Sequence, residues 1–131
     1  MATVTFSEIT VGATYSRHDL ARIWGYSSFH AIARGVVTPM NDNKIVLFVT
    51  EEKQNSAEQY SDKLTDDVLE WEGPTDHFAE SRMVNASRMG EEIHLFYRTR
   101  HHTDFIYAGT LRVIDKHLRT DAPSRFKFRI V

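Results

Sequence analysis

The chain has 131 residues, of which 41% are hydrophobic, 26% charged and 11% aromatic, the proportions of one globular domain. Sixteen Lys and Arg against eighteen Asp and Glu give a net charge of −2, which excludes a polybasic domain that binds by bulk charge alone. The lack of cysteine excludes disulfide scaffolds, thiol nucleophiles, thiolate zinc sites and iron–sulfur clusters together.

Residues 3–9 alternate weakly and read as a short first strand. Ser16 is placed to cap a helix over Arg17–Trp24, with Leu20, Ile23 and Trp24 on one face and Gly25 as its stop. The β-branched run Lys44–Thr50 reads as a strand. Residues 51–67 are polar and read as loop, and residues 68–71 as a short strand closed by the Gly73-Pro74 turn. Residues 75–90 have helical spacing, with Phe78, Met83, Ala86 and Met89 as the apolar stripe and Gly90 as C-cap. In residues 92–100, Ile93, Leu95 and Tyr97 alternate with His94, Phe96 and Arg98, and residues 104–115 pair with them through a turn at 101–103. Residues 125–131 alternate again, Arg125, Lys127 and Arg129 against Phe126, Phe128 and Ile130. Two helices with about six short strands give an α+β fold, a curved and mostly antiparallel sheet or small open β-barrel. Without a linker, repeat or low-complexity stretch, residues 1–131 read as a single domain. No apolar run approaches the roughly 20 residues of a membrane span, and residues 1–10 lack the pattern of a signal peptide. The expected location is the cytoplasm, with no membrane partner.

Charge is unevenly divided along the chain. Residues 1–75 carry 6 basic and 11 acidic side chains, and residues 76–131 carry 10 and 7. One consequence is a basic face on the last three strands, built from Arg98, Arg100, Arg112, Arg119, Arg125, Lys127 and Arg129; the other is that the asymmetry averages out over the surface. The seven histidines show neither His-x-x-x-His nor His-Glu-x-x-His spacing, so no metal is assigned to them. There is no nucleophile elbow, phosphate-cradling glycine loop or dinucleotide fingerprint, so no catalytic residue and no cofactor are assigned. A metal-dependent nuclease would need Asp62, Asp66 and Glu72 to converge. Aromatic rings beside basic groups suit base stacking with phosphate contact, and also suit cross-strand packing. Tyr15, Trp71, Tyr97 and Tyr107 have polar tips or loop positions that leave a functional role open.

Seven motifs in order carry a family resemblance. They are Tyr15-Ser16-Arg17 before a helix, Arg34-Gly35-Val36, Val49-Thr50 followed by Lys53, Tyr60-Ser61-Asp62, Trp71-Glu72-Gly73-Pro74, Leu95-Phe96-Tyr97-Arg98 and Tyr107-Ala108-Gly109. Over residues 14–130 the chain resembles a bacterial domain-of-unknown-function family, found C-terminal to superfamily-II helicases with phospholipase-D-type nuclease modules and beside HNH nucleases. Two positions depart from that pattern, Glu72-Gly73-Pro74 in place of a Ser-Gln-like pair and Tyr97 in place of Val. The resemblance implies a small barrel-like nucleic-acid reader, in the style of PUA and SET-and-RING-associated (SRA) domains. It implies a non-enzymatic module of a bacterial or phage restriction or defence system, with DNA favoured over RNA, reading a modified or flipped base. In that reading Arg17, Lys53 and Arg98 contact phosphates, Tyr15, Trp71 and Tyr107 border an aromatic pocket, and Asp62 or Glu72 bonds the base edge. The alternative is a regulatory module that docks onto a nuclease or helicase through the acidic residues of 51–72.

Overall fold

The computed structural model describes residues 3–40, 42–51 and 62–131. Its elements in chain order are β1 (Thr14–Tyr15), α1 (Arg17–Trp24), a 3-10 turn (Phe29–Ile32), β2 (Val36–Val37), β3 (Lys44–Thr50), β4 (Lys63–Thr65), β5 (Val68–Glu72), α2 (Glu80–Val84), α3 (Ala86–Met89), β6 (Glu92–Arg98), β7 (Phe105–His117) and β8 (Arg125–Ile130). The strands form one curved α+β sheet in the order β2-β3-β6-β7-β8-β5-β4, and β1 joins the first residues of β7. All pairs are antiparallel except β3 with β6, which run parallel from Lys44↔Glu92 to Thr50↔Arg98.

The run Ile45-Val46-Leu47-Phe48-Val49 lacks any polar alternation because β3 is covered on both faces. Ile45, Leu47 and Val49 join Leu69, Trp71, Leu95, Phe126 and Phe128 in one core. Val46 and Phe48 face a second core with Leu20, Trp24, Ile32, Phe96, Phe105 and Tyr107. The same split holds on β6, where Ile93, Leu95 and Tyr97 enter the first core and Phe96 the second. The side of β6 that carries His94 and Phe96 is therefore core, and His94 is only 3% exposed.

α1 forms where the sequence places it. Ser16 Oγ accepts from the Asp19 N–H at 3.0 Å, Asp19 Oδ2 accepts from the Ser16 N–H at 2.9 Å, and Gly25 closes the helix at φ 82°. Other expectations are corrected. Residues 3–9 make no strand; the Thr3 N–H donates to Trp24 O, and Trp24 Nε1 donates to Thr5 O, each at 2.8 Å. Trp24 thus satisfies backbone groups that a strand edge would otherwise take. The helix expected over 75–90 is two short helices that start after His77 and Ala79, both at positive φ, and Met89 lies 65% exposed instead of in a stripe. Gly90 does cap the second at φ 71°.

The free basic face is also corrected. Along β8, Arg125, Lys127 and Arg129 meet Glu72, Glu70 and Asp67 of the β5 side at 3.2, 3.9 and 3.7 Å. The charge of one strand is neutralised by its neighbour.

Candidate functional site

β5 ends in Trp71 and Glu72, and this end of the strand is held from three sides. Trp71 is 6% exposed and packs on Phe126 and Phe128 of β8, with ring centroids 5.7 and 5.9 Å away. Asp62, just before β4, accepts the Glu72 N–H at 2.9 Å, so its carboxylate is fixed beside the tryptophan. Behind the following turn, Ser124 Oγ donates to Glu80 Oε1 at 2.9 Å, and His77 Nδ1 lies 2.8 Å from Glu80 Oε2. A Cβ on Gly73 would lie 3.2 Å from Glu80 Oε2 and 3.5 Å from the Trp71 ring, so a glycine lets the turn lie against both.

Trp71, Asp62 and Glu72 line two adjoining clefts. The first, of about 420 Å³, is closed on its other side by Arg34, Phe48, Thr50, Phe78 and His101. The second, of about 620 Å³, runs over the β5–β8 ladder, where Glu70, Glu72 and Asp115 alternate with Lys116, Arg125 and Lys127. The first cleft is polarised, with the carboxylates of Asp62, Glu72 and Asp76 against one arginine, Arg34, just before β2. Arg34 lies over Phe78 at 4.6 Å. Behind Phe48 and Thr50 stand two more guanidinium groups. Arg17, the first residue of α1, donates to Ile32 O at 3.0 Å and to Arg34 O at 3.4 Å, and lies over the Phe48 ring at 4.6 Å. Arg98, the last residue of β6, donates to Thr50 Oγ1 at 2.8 Å and Thr103 O at 3.0 Å. Burial, and then the nearby charge of Arg98, bring Arg17 down to about 10, and burial lowers Arg98 as well.

The expected site residues therefore fall into separate groups. Asp62, Trp71 and Glu72 line the cleft together, and Arg17 and Arg98, which do not line it, both lie over Phe105. Tyr107 is not with them. It is 5% exposed in the second core, its hydroxyl is 2.7 Å from His94 Nδ1, and burial pushes it up to about 12. Tyr15 packs edge-on against Phe96 at 6.3 Å, and its hydroxyl accepts the Thr10 N–H at 2.8 Å. Tyr97 gives its hydroxyl to Glu51, and burial with that carboxylate lifts it to about 12. Lys53 lies outside the described residues, as do Glu52 and Glu58 of the acidic stretch within 51–72. Arg34, Phe48, Thr50, Phe78 and His101 were missed as site residues. Arg34, as the head of the Arg34-Gly35-Val36 motif, and Thr50, in the Val49-Thr50 motif, carried a signal. Among the described residues no three His, Asp or Glu side chains are grouped to hold a metal ion, Asp62, Asp66 and Glu72 included. None of the described helices is long and apolar enough to cross a membrane.

Residues 9–128 match the family model of a domain of unknown function, DUF3427. No curated protein matches the chain in sequence. Among solved structures it is similar to the SRA domain of SUVH5 in complex with hemi-methylated CG DNA, with a TM-score of 0.63 and 16% identity, covering 100% of this chain and 93% of that one. It is also similar to the same domain with fully methylated CG DNA, with a TM-score of 0.61, 15% identity and the same coverage. At that identity the likeness is one of fold, a sheet of SRA type.

Proposed function

The chain belongs to the DUF3427 family, and from that membership and the polarised cleft we propose that it is a non-enzymatic DNA-recognition module that reads a modified or flipped base. The observation that carries the proposal is the wall formed by Trp71, Asp62 and Glu72 facing Arg34 across a space of about 420 Å³. A base offers a flat apolar face, a polar edge and an attached phosphate. The wall offers a ring, carboxylate acceptors and, beyond Phe48, cations. The structures similar in fold are complexes with methylated CG DNA, which supports a duplex ligand in which one cytosine bears a methyl group. In this reading Trp71 lines the base site, Asp62 and Glu72 accept from the base edge, and Arg17, Arg98 and Lys53 contact phosphates. Restriction or defence systems of bacteria or phage are the setting we propose, with a nuclease or helicase as the partner that acts on the marked DNA.

The test is fluorescence anisotropy on otherwise identical unmodified, hemi-methylated and fully methylated duplexes at low salt. A modified duplex should bind more tightly than the unmodified one. Glu72→Gln and Asp62→Asn, which keep the shape of the wall, should remove roughly 1–3 kcal/mol of that preference. Equal affinity for all duplexes in the wild-type chain would overturn base reading, and no binding to any duplex would overturn DNA recognition itself.

A further inference from the structure

Two of the four partly buried Lys and Arg side chains among the described residues carry a counter-charge: Arg82 pairs with Glu91 and Lys44 with Asp42. Arg17 and Arg98 differ. Among the described residues neither makes an ion pair with a carboxylate, and every acceptor they use is neutral: Ile32 O, Arg34 O, Thr50 Oγ1 and Thr103 O. Both lie over one ring, Phe105, at 5.0 and 4.2 Å from its centroid, so the two cations are neighbours. Their mutual repulsion is part of what brings Arg17 down to about 10. Two positive groups held side by side, partly out of water and without an anion, are unfavourable for the chain alone. The backbone carbonyls and stacked rings nonetheless fix both guanidinium planes, which keeps them in place for a partner from outside.

Each guanidinium has five N–H donors, and here each gives only two of its nitrogens to the protein. The Nη1 group of Arg17 and the Nη2 group of Arg98 have no acceptor among the described residues. We propose that Arg17 and Arg98 together form one site for a tetrahedral phosphate oxyanion, set over Phe105 and joined to the cleft through Phe48 and Thr50. The site rests on the proposed function only for where that phosphate comes from. A DNA phosphodiester is one source, and a free phosphate ester has the same chemistry. Because the two arginines share a single anion, loss of either should weaken the site strongly and loss of both should cost less than the sum of the two.

The experiment measures the melting temperature of the full chain in inorganic phosphate and in chloride at matched ionic strength. Phosphate should stabilise the wild-type chain beyond chloride, since it binds the folded state only. Arg98→Gln should weaken the apparent affinity for phosphate by about tenfold or more, and Arg98→Lys, which keeps the charge and loses the fork, should restore only part of it. Arg129→Gln, a cation already paired with Asp67, should behave as wild type. Arg17→Gln also loses the tie to Ile32, so the Arg98 variants decide the matter if it fails to fold. A phosphate effect no greater than that of chloride, or one retained by Arg98→Gln, overturns the site. Competition between phosphate and duplex in the wild-type chain, lost in Arg98→Gln, assigns the anion to the DNA backbone. Phosphate stabilisation that depends on Arg98, in a chain that binds no oligonucleotide, supports the site with a free phosphate ester and rejects the DNA reading instead.

Discussion

The Tyr107 hydroxyl meets His94 Nδ1 at 2.7 Å, while His94 Nε2 lies 2.9 Å from Glu92, and the Phe6 ring stacks on His94 at 3.7 Å. Tyr107→Phe would leave one imidazole nitrogen without its partner, which costs about 1–3 kcal/mol in a buried site. Chemical denaturation should show that loss while duplex affinity stays unchanged; a drop in affinity with the fold intact would return Tyr107 to the binding site. Burial, partly offset by Glu92, holds the His94 imidazolium below its ordinary value of 6.5. Below that pH the unfolded chain takes up a proton that the folded chain refuses. The stability His94 contributes is therefore complete above about pH 6.5 and is lost as pH falls through the folded value. Urea unfolding across that range should show the decline, and His94→Gln should flatten it. Trp71 needs a different approach, because truncating it to Ala in the first core would cost about 3–5 kcal/mol and unfold much of the population. Trp71→Phe keeps a ring against Phe126 and Phe128, so its effect on duplex affinity reports on the site.

Elements whose signals are local were readable from the sequence, and those made by distant partners were not. The ends of α1 are written in Ser16, Asp19 and Gly25, so both were found; Ser16→Ala should cost about 1 kcal/mol of stability, measurable as a shifted denaturation midpoint. The stretch 75–90 has helical spacing, yet the left-handed turns at His77 and Ala79 delay its first helix. What holds that stretch is long-range, Glu80 to Ser124 and Arg82 to Asp42 O. Strands β2 and β4, with 2 and 3 residues, are too short to show a period. The β8 cations read as a basic face because alternation shows which side a residue takes and not what stands across from it. Since Glu70 and Asp67 face Lys127 and Arg129, changing both cations to Gln should alter stability by less than about 1 kcal/mol. Duplex affinity should change little, whereas a large loss would restore the basic face.

At the scale of the molecule, a net charge of −2 and the ion pairs along β8 argue against binding by bulk charge. With Arg17 and Arg98 as the main contacts, the slope of log affinity against log salt should be shallow, about −2 to −3. A slope near −6 would mean that many more cations than these contact the backbone. Asp62, Trp71 and Glu72 were named through the family resemblance, and the structure brings them together because β4 and β5 are consecutive and antiparallel. The facing wall was not so named, since Arg34, Phe48 and Thr50 reach the cleft through the pairing of β3 with β6. That parallel pairing joins residues 48 positions apart, as Thr50 and Arg98 show. During synthesis, β3 emerges with only the two residues of β2 beside it, and its parallel neighbour is not made until the chain has nearly doubled in length. The β6–β7 hairpin closes over a short turn, so its contacts should form early in refolding and the β3–β6 seam late. The arginine pair is assembled across that seam from α1 and the end of β6, so a growing chain has no anion site until β6 and the first residues of β7 arrive.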